Sequence, residues 1–168
     1  RENKLYAKLE KCQFSATSVD FLGYVISNFG IGMDPKKVLS VTSWPAPTNV
    51  KALQSFLGFA NFYRTFLPQY SKLVNPMLCL LKKDHKFVWE KHCQDSFEIL
   101  KAAFSSAPIL RHPDTSKPFI LEADASDFAI GGVLSQNIDD NLHPIAYNSW
   151  KLTAPEINYE VYDKELLA

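Results

Sequence analysis

Leu53-Gln54-Ser55-Phe56-Leu57-Gly58-Phe59-Ala60-Asn61-Phe62-Tyr63-Arg64 carries two patterns at once. Leu53, Phe56, Leu57, Ala60 and Tyr63 recur at three- and four-residue spacing, which predicts a helix from about Asn49 to Phe66 with one buried side. Gln54, Gly58, Asn61, Phe62 and Thr65 fall on a second arc, so a glycine and a large aromatic occupy a face that ordinarily meets solvent. Gln54, Gly58 and Phe62, four residues apart, form one stripe that suits a duplex minor groove. Glycine lets the backbone come close, the amide of Gln54 can bond base edges or sugar, and an aromatic can pack on a ribose. Lys51 and Arg64 lie near enough in sequence to meet phosphate. A second reading fits the same stripe: a glycine at a helix crossing and a phenylalanine buried against a neighbouring lobe.

Upstream, Asp34-Pro35 supplies an N-cap and an N1 proline for a short helix through Val38 and Val41, which Trp44-Pro45-Ala46-Pro47 must end. Thr48-Asn49 opens the next. Between Cys12 and Met33, Val19, Phe21, Val25 and Ile26 read as extended segments, with turn chemistry at Ser27-Asn28-Phe29-Gly30, and predict a β-hairpin. Downstream, Leu73, Met77 and Leu80 predict a helix ending at Lys82-Lys83-Asp84. Another runs from about Glu90 to Ser105 with Phe97, Leu100 and Phe104 inward, so the middle of the chain is a helical bundle.

Pro108, Pro113 and Pro118, with Asp114, Thr115 and Ser116 between them, read as a linker, and the sign of the charge changes there. Residues 1–112 carry 15 Lys/Arg against 8 Asp/Glu, and residues 113–168 carry 3 against 10, so a net of +7 is joined to a net of −7. The first half suits a polyanion and the second a cation, although two ordinary solvated surfaces would give the same count. Beyond the linker, residues 119–124, 130–136 and 143–150 read as strands, residues 137–141 as a turn, and Glu156 onward as helical, with Tyr159, Tyr162 and Leu166 on its packed side.

Several function classes fall away. Cys12, Cys79 and Cys93 form no CxxC pair and leave an odd thiol, so a disulfide framework and a zinc knuckle are not suggested, and a reducing compartment is expected. His85, His92, His112 and His143 lack ligand spacing. No glycine-rich phosphate loop and no nucleophilic triad order is present. No apolar stretch approaches the roughly 18 residues of a membrane span, and the polar start Arg1-Glu2-Asn3-Lys4 does not resemble a signal peptide. The expectation is an intracellular protein, not secreted, cut from something longer, since the chain opens without Met and stops inside a helical pattern.

Two carboxylates are candidates for chemistry. Strand alternation puts Ile120, Glu122 and Asp124 on one side and Phe119, Leu121 and Ala123 on the other. Asp124 ends the strand, and Ala125-Ser126-Asp127 with Gly131-Gly132 keep its surroundings small, as a hydrated Mg²⁺ with substrate phosphate requires. A strand-terminal aspartate capping a turn fits equally. Glu165 lies beside the packed side of the last helix, either reaching toward a metal or solvated. Asp139-Asp140 read as turn residues.

Five ordered motifs resemble the end of the reverse transcriptase and the start of the ribonuclease H region of gypsy-class long-terminal-repeat retrotransposon polyproteins. They are residues 8–14 (KLEKCQF), 21–27 (FLGYVIS), 53–64, Ala123-Asp124-Ala125-Ser126 and Lys164-Glu165-Leu166-Leu167-Ala168. The resemblance implies an α+β fold in three parts. Residues 1–33 would close the palm, with Phe21, Leu22, Gly23 and Tyr24 as a primer-grip hairpin. Residues 34–112 would be a helical thumb and linker, with Gln54, Gly58 and Phe62 tracking the minor groove, Phe62 replacing a more usual Trp. Residues 113–168 would be the N-terminal part of an incomplete RNase H-like α/β domain.

By the same resemblance, Asp124 and Glu165 match the first catalytic aspartate and the helical glutamate of that domain. They would help to hold Mg²⁺ ions for two-metal hydrolysis of RNA in an RNA/DNA hybrid. Two further acidic ligands would lie past Ala168. Trp150 stands where the family usually has a basic residue, and Thr153-Ala154-Pro155-Glu156 inverts the common Pro-Ala order. The implied partners are template-primer duplex, RNA/DNA hybrid and the rest of the Pol polyprotein, with no membrane, in a cytoplasmic particle or the nucleus. The whole protein would be an RNA-directed DNA polymerase and ribonuclease H, with this segment inactive alone. The competing class is a non-catalytic nucleic-acid-binding or domesticated remnant.

Overall fold

Asp34 and Asn49 start the first two helices through their own side chains in the computed structural model, which describes residues 6–83 and 85–168. The start Arg1-Glu2-Asn3-Lys4 and Asp84 lie outside the described residues. Asp34 Oδ1 accepts from the Lys36 amide at 2.9 Å to open α1 (Pro35–Thr42), and Asn49 Oδ1 accepts from the Ala52 amide at 2.9 Å to open α2 (Val50–Phe62). Each cap satisfies an amide that has no partner within its helix.

The helix expected to reach Phe66 ends at Phe62. Arg64–Phe66 forms a single 3₁₀ turn, and Pro68 holds Leu67 in an extended conformation that helix cannot continue through. Gln69 then takes a positive φ of 52° before α3 (Tyr70–Cys79), and α4 spans Lys91–Ser105. The predicted inward residues of α2, Leu53, Phe56, Leu57, Ala60 and Tyr63, are all buried, together with Phe97, Leu100 and Phe104 of α4 and Val74 and Met77 of α3. Phe56 and Phe97 pack within this core with ring centroids 4.6 Å apart and planes tilted by 54°.

Ahead of the helices, the expected hairpin is a three-stranded antiparallel meander, β1 (Ser18–Phe21), β2 (Tyr24–Ser27) and β3 (Gly30–Met33). The extra turn is Leu22-Gly23, with φ of 51° and 85°, a two-residue connection whose positive φ values match the strand twist. Leu22 reads as part of an apolar run, so turn chemistry in the sequence does not mark it.

After the core, β4 (Ile120–Ala125), β5 (Ala129–Ile138) and β6 (Asn141–Lys151) form a second antiparallel sheet in that order. The expected five-residue turn shrinks to Asp139-Asp140, both at positive φ, and Asn137, Ile138 and Asn141 join the ladder. The helical stretch from Glu156 breaks into α5 (Ala154–Ile157) and α6 (Val161–Leu167). The expected packed side of α6 is overturned: Tyr162 and Leu166 are exposed, Leu166 by 87%, and Lys164 is the buried residue. Among the described residues no element covers the Tyr162 and Leu166 side, whereas Lys164 lies one turn before Ala168, which settles against the sheet.

Pairing Leu121 with Leu134, Ala123 with Gly132, Glu122 with Val133 and Asp124 with Gly131 sorts the second sheet into two faces. The Glu122 and Asp124 face, continued by Tyr147 and Ser149, lies against Pro68 and α3. The Leu121 and Ala123 face, continued by Ala146, Asn148 and Trp150, forms an open groove that Ala168 also lines.

Candidate nucleic-acid interface and carboxylate face

The predicted grip residues and the predicted stripe on α2 meet through Tyr24. Its ring lies between Phe62, at 5.2 Å and 21° between planes, and Phe66, at 5.7 Å and 22°. The Tyr24 hydroxyl donates to the Phe62 carbonyl at 3.2 Å, and the Tyr63 hydroxyl donates to the Gly23 carbonyl at 3.1 Å. Burial pushes both phenols above their ordinary pKa, and for Tyr63 the charges of Tyr24 and Asp34 add to it, so both hydroxyls remain donors at neutral pH. Gly23 is required here twice over. Its φ is positive, and a Cβ would sit 2.6 Å from the Tyr63 hydroxyl.

This junction presents Phe21 and Leu22 at one side and Phe62, half exposed, at the other. Gln54 and Gly58 continue the exposed face along α2. A Cβ built on Gly58 meets nothing within 4 Å, so Gly58 is not at a helix crossing, and Phe62 is not buried against another lobe. Gly58 therefore faces open space, while Phe62 divides its ring between solvent and the stack on Tyr24. Lys51 and Arg64 are exposed at opposite ends of α2, and neither enters a salt bridge among the described residues. The sequence pattern singled out Tyr63 only as a core residue. Its hydroxyl contact with the turn is a tertiary feature that helical spacing does not report.

On the other lobe, Asp124 lines a small cleft with Gln69, Lys72, Ser126, Gly131 and Ser149. The Ser71 amide donates to Ser149 Oγ at 2.8 Å, which joins the start of α3 to β6 beside this cleft. Gln69 and Lys72 are neighbours of Asp124 that the sequence reading missed, since nothing local predicts that α3 abuts this sheet. Glu165 is exposed on α6 and lines neither cleft on the Asp124 face, while α6 ends on the Leu121 and Ala123 face. The structure thus joins the turn to the stripe, and it packs α6, which carries Glu165, against β4, which carries Asp124. Among the described residues no three His, Cys, Asp or Glu side chains gather in a metal-holding group. No described helix is long and apolar enough to cross a membrane.

Comparison with known proteins agrees with this architecture. A family profile described as the RNase H-like domain found in reverse transcriptase matches residues 89–168. The Tf2-3 and Tf2-4 transposon polyproteins of Schizosaccharomyces pombe are each 43% identical over 159 residues, 94% of this chain. The chain belongs to the gypsy-class retrotransposon polyprotein family. It spans 12% of the length of those two members and is a reverse transcriptase/RNase H-like segment. Among solved structures, the foamy viral protease-reverse transcriptase in complex with RNA/DNA hybrid aligns with a TM-score of 0.75 and 27% identity over 90% of this chain and 21% of that one. The same enzyme in complex with double-stranded DNA aligns with a TM-score of 0.77 and 26% identity over 90% of this chain and 32% of that one.

Proposed function

We propose that this chain forms a duplex clamp in a reverse transcriptase: the Phe21-Leu22-Gly23-Tyr24 turn positions the primer end, and the Gln54, Gly58 and Phe62 stripe follows the minor groove, with Lys51 and Arg64 drawn to phosphate. The observation that supports this most is the Tyr24 stack on Phe62, which makes the turn and the stripe one surface. Open space above Gly58 lets a sugar-phosphate backbone approach the helix. Template-primer duplex and RNA/DNA hybrid are the proposed ligands, since both ligand types occur with the foamy viral relatives.

RNA-directed DNA synthesis and hydrolysis of the RNA strand are proposed for the whole polyprotein, in a cytoplasmic particle or the nucleus. Asp124 and Glu165 are proposed as two of its nuclease carboxylates on the strength of their motifs and the family match at residues 89–168. α6, which carries Glu165, packs against β4, which carries Asp124, and among the described residues no third carboxylate, histidine or cysteine joins them in a metal-holding group. This chain alone is therefore expected neither to extend a primer nor to cut RNA. The partition into palm end (1–33), thumb and linker (34–112) and RNase H-like part (113–168) is proposed with it.

The test is binding of a labelled RNA/DNA hybrid across a salt series. A clamp that neutralises phosphates loses affinity linearly in log salt, with a slope set by the number of contacts. Binding that is indifferent to salt contradicts the proposal.

A further inference from the structure

Leu110, Arg111 and His112 stand between two prolines in a stretch that reads as a plain linker, yet each is fastened to a different strand. Leu110, itself buried, pairs with Ile31 of β3 in both directions: the Ile31 amide donates to the Leu110 carbonyl at 2.7 Å and the Leu110 amide to the Ile31 carbonyl at 2.9 Å. The Arg111 amide donates to the Pro144 carbonyl of β6 at 2.9 Å, while Arg111 Nη1 donates to the Phe29 carbonyl at 3.0 Å. His112 Nε2 is 2.8 Å from the Ser27 carbonyl.

Three features of the sequence make this fastening possible. Gly30 has a φ of 143°, and a Cβ there would collide with the Leu110 carbonyl oxygen, so no other residue fits at that crossing. Pro144 has no amide to give the ladder, and the β5–β6 register shifts between Leu134 and Ser135, opposite Ala146 and Pro144. At that irregularity the Pro144 carbonyl accepts the linker amide. Buried Gln136 then anchors the next turn, accepting from the Asp114 amide at 2.9 Å and donating to the Asp114 carbonyl at 2.7 Å.

We propose that Leu110–His112 is a register strap: it fixes the grip meander relative to the C-terminal sheet, and so sets the distance along a bound hybrid between the primer end and the point where the RNA strand is cut. The proposal rests on the duplex-clamp reading above. Arg111 and His112 act in it as positioning residues, through Arg111 Nη1 on the Phe29 carbonyl and His112 Nε2 beside the Ser27 carbonyl.

The test uses a reverse transcriptase carrying this chain in frame, with an end-labelled RNA paired to a primer of known 3′ end. The wild type is expected to cut within a narrow window of distances from that end. His112→Ala and Arg111→Ala shift and widen the window while primer extension and hybrid affinity stay unchanged, and Gly30→Ala does so more strongly. An identical fragment ladder in the variants overturns the strap, as does a loss of affinity with the ladder unmoved, which makes these residues simple phosphate contacts. Should Gly30→Ala fail to fold, the exposed His112→Ala decides alone. A wild type that neither extends nor cuts counts against the clamp reading instead, and amide exchange in the 168-residue chain then judges the strap. The Ile31, Leu110 and Arg111 amides are expected to be protected and to lose protection together in His112→Ala; free-loop exchange rates in the wild type overturn the proposal.

Discussion

The junction between the β1–β3 meander and α2, and the C-terminal sheet, both bring strands against helices, with different outcomes. At the junction, Tyr24 is held between Phe62 and Phe66, and two tyrosine hydroxyls cross between the turn and the end of α2, so residues about forty positions apart share one surface. Behind that surface lies the hydrophobic core. In the C-terminal sheet, Asp124 is turned toward Gln69, α6 ends on the other face, and Leu121 and Leu166 are left exposed. The contrast separates a junction closed by aromatic stacking and hydroxyl bonds from a sheet with one face left open.

The largest expected effect comes from attacking the core beneath the junction. Phe56→Ala removes a ring that is fully buried and packed against Phe97, and is expected to cost about 3–5 kcal/mol in chemical denaturation. Leu121→Ala, on the open face where the side chain is 70% exposed, is expected to cost under about 0.5 kcal/mol in the same measurement. Equal losses would erase the distinction between the two regions. A smaller effect is expected from Tyr63→Phe, which keeps the ring and removes only the bond to the Gly23 carbonyl: about 1 kcal/mol of stability, with faster amide exchange confined to the turn and to Asp34, whose amide donates to the same carbonyl. Uniform exchange across the meander would mean that the hydroxyl does not fasten the turn.

The parts of this molecule that were legible in its sequence are those fixed by neighbours along the chain. Asp34-Pro35 and Asn49 announce helix starts because a short oxygen-bearing side chain reaches the amides just ahead of it. The buried side of α2 follows from spacing alone, and the alternation of β4 gives the side of Asp124. What escaped was set by packing at a distance. Leu22 at positive φ is costly for a branched side chain and persists because the β1–β2 ladder and Tyr63 over-determine the turn. The packed side of α6 reads wrongly since helical period reports a stripe and not which element covers it. The linker looked free because prolines mark a connection, while the strands that Leu110, Arg111 and His112 bind are far away in sequence. For Gly58 and Phe62 the pattern fitted both packing and an open surface; Gly58 faces empty space, whereas Phe62 is half exposed and half packed on Tyr24, a contact that spacing along the helix does not report.

The central claim is that the exposed face of α2 is the duplex-binding surface, independent of the carboxylate face. Gly58→Leu tests it most directly, because the site has room for the new side chain and leucine favours helix over glycine by somewhat under 1 kcal/mol. Affinity for a labelled RNA/DNA hybrid is measured beside Asp124→Asn, with thermal unfolding as the control. The account predicts a Gly58→Leu protein at least as stable as the wild type that binds hybrid about tenfold or more weakly, a loss of about 1.4 kcal/mol, and an Asp124→Asn protein that binds normally. Unchanged binding by a folded Gly58→Leu protein, with binding lost in Asp124→Asn, would contradict it.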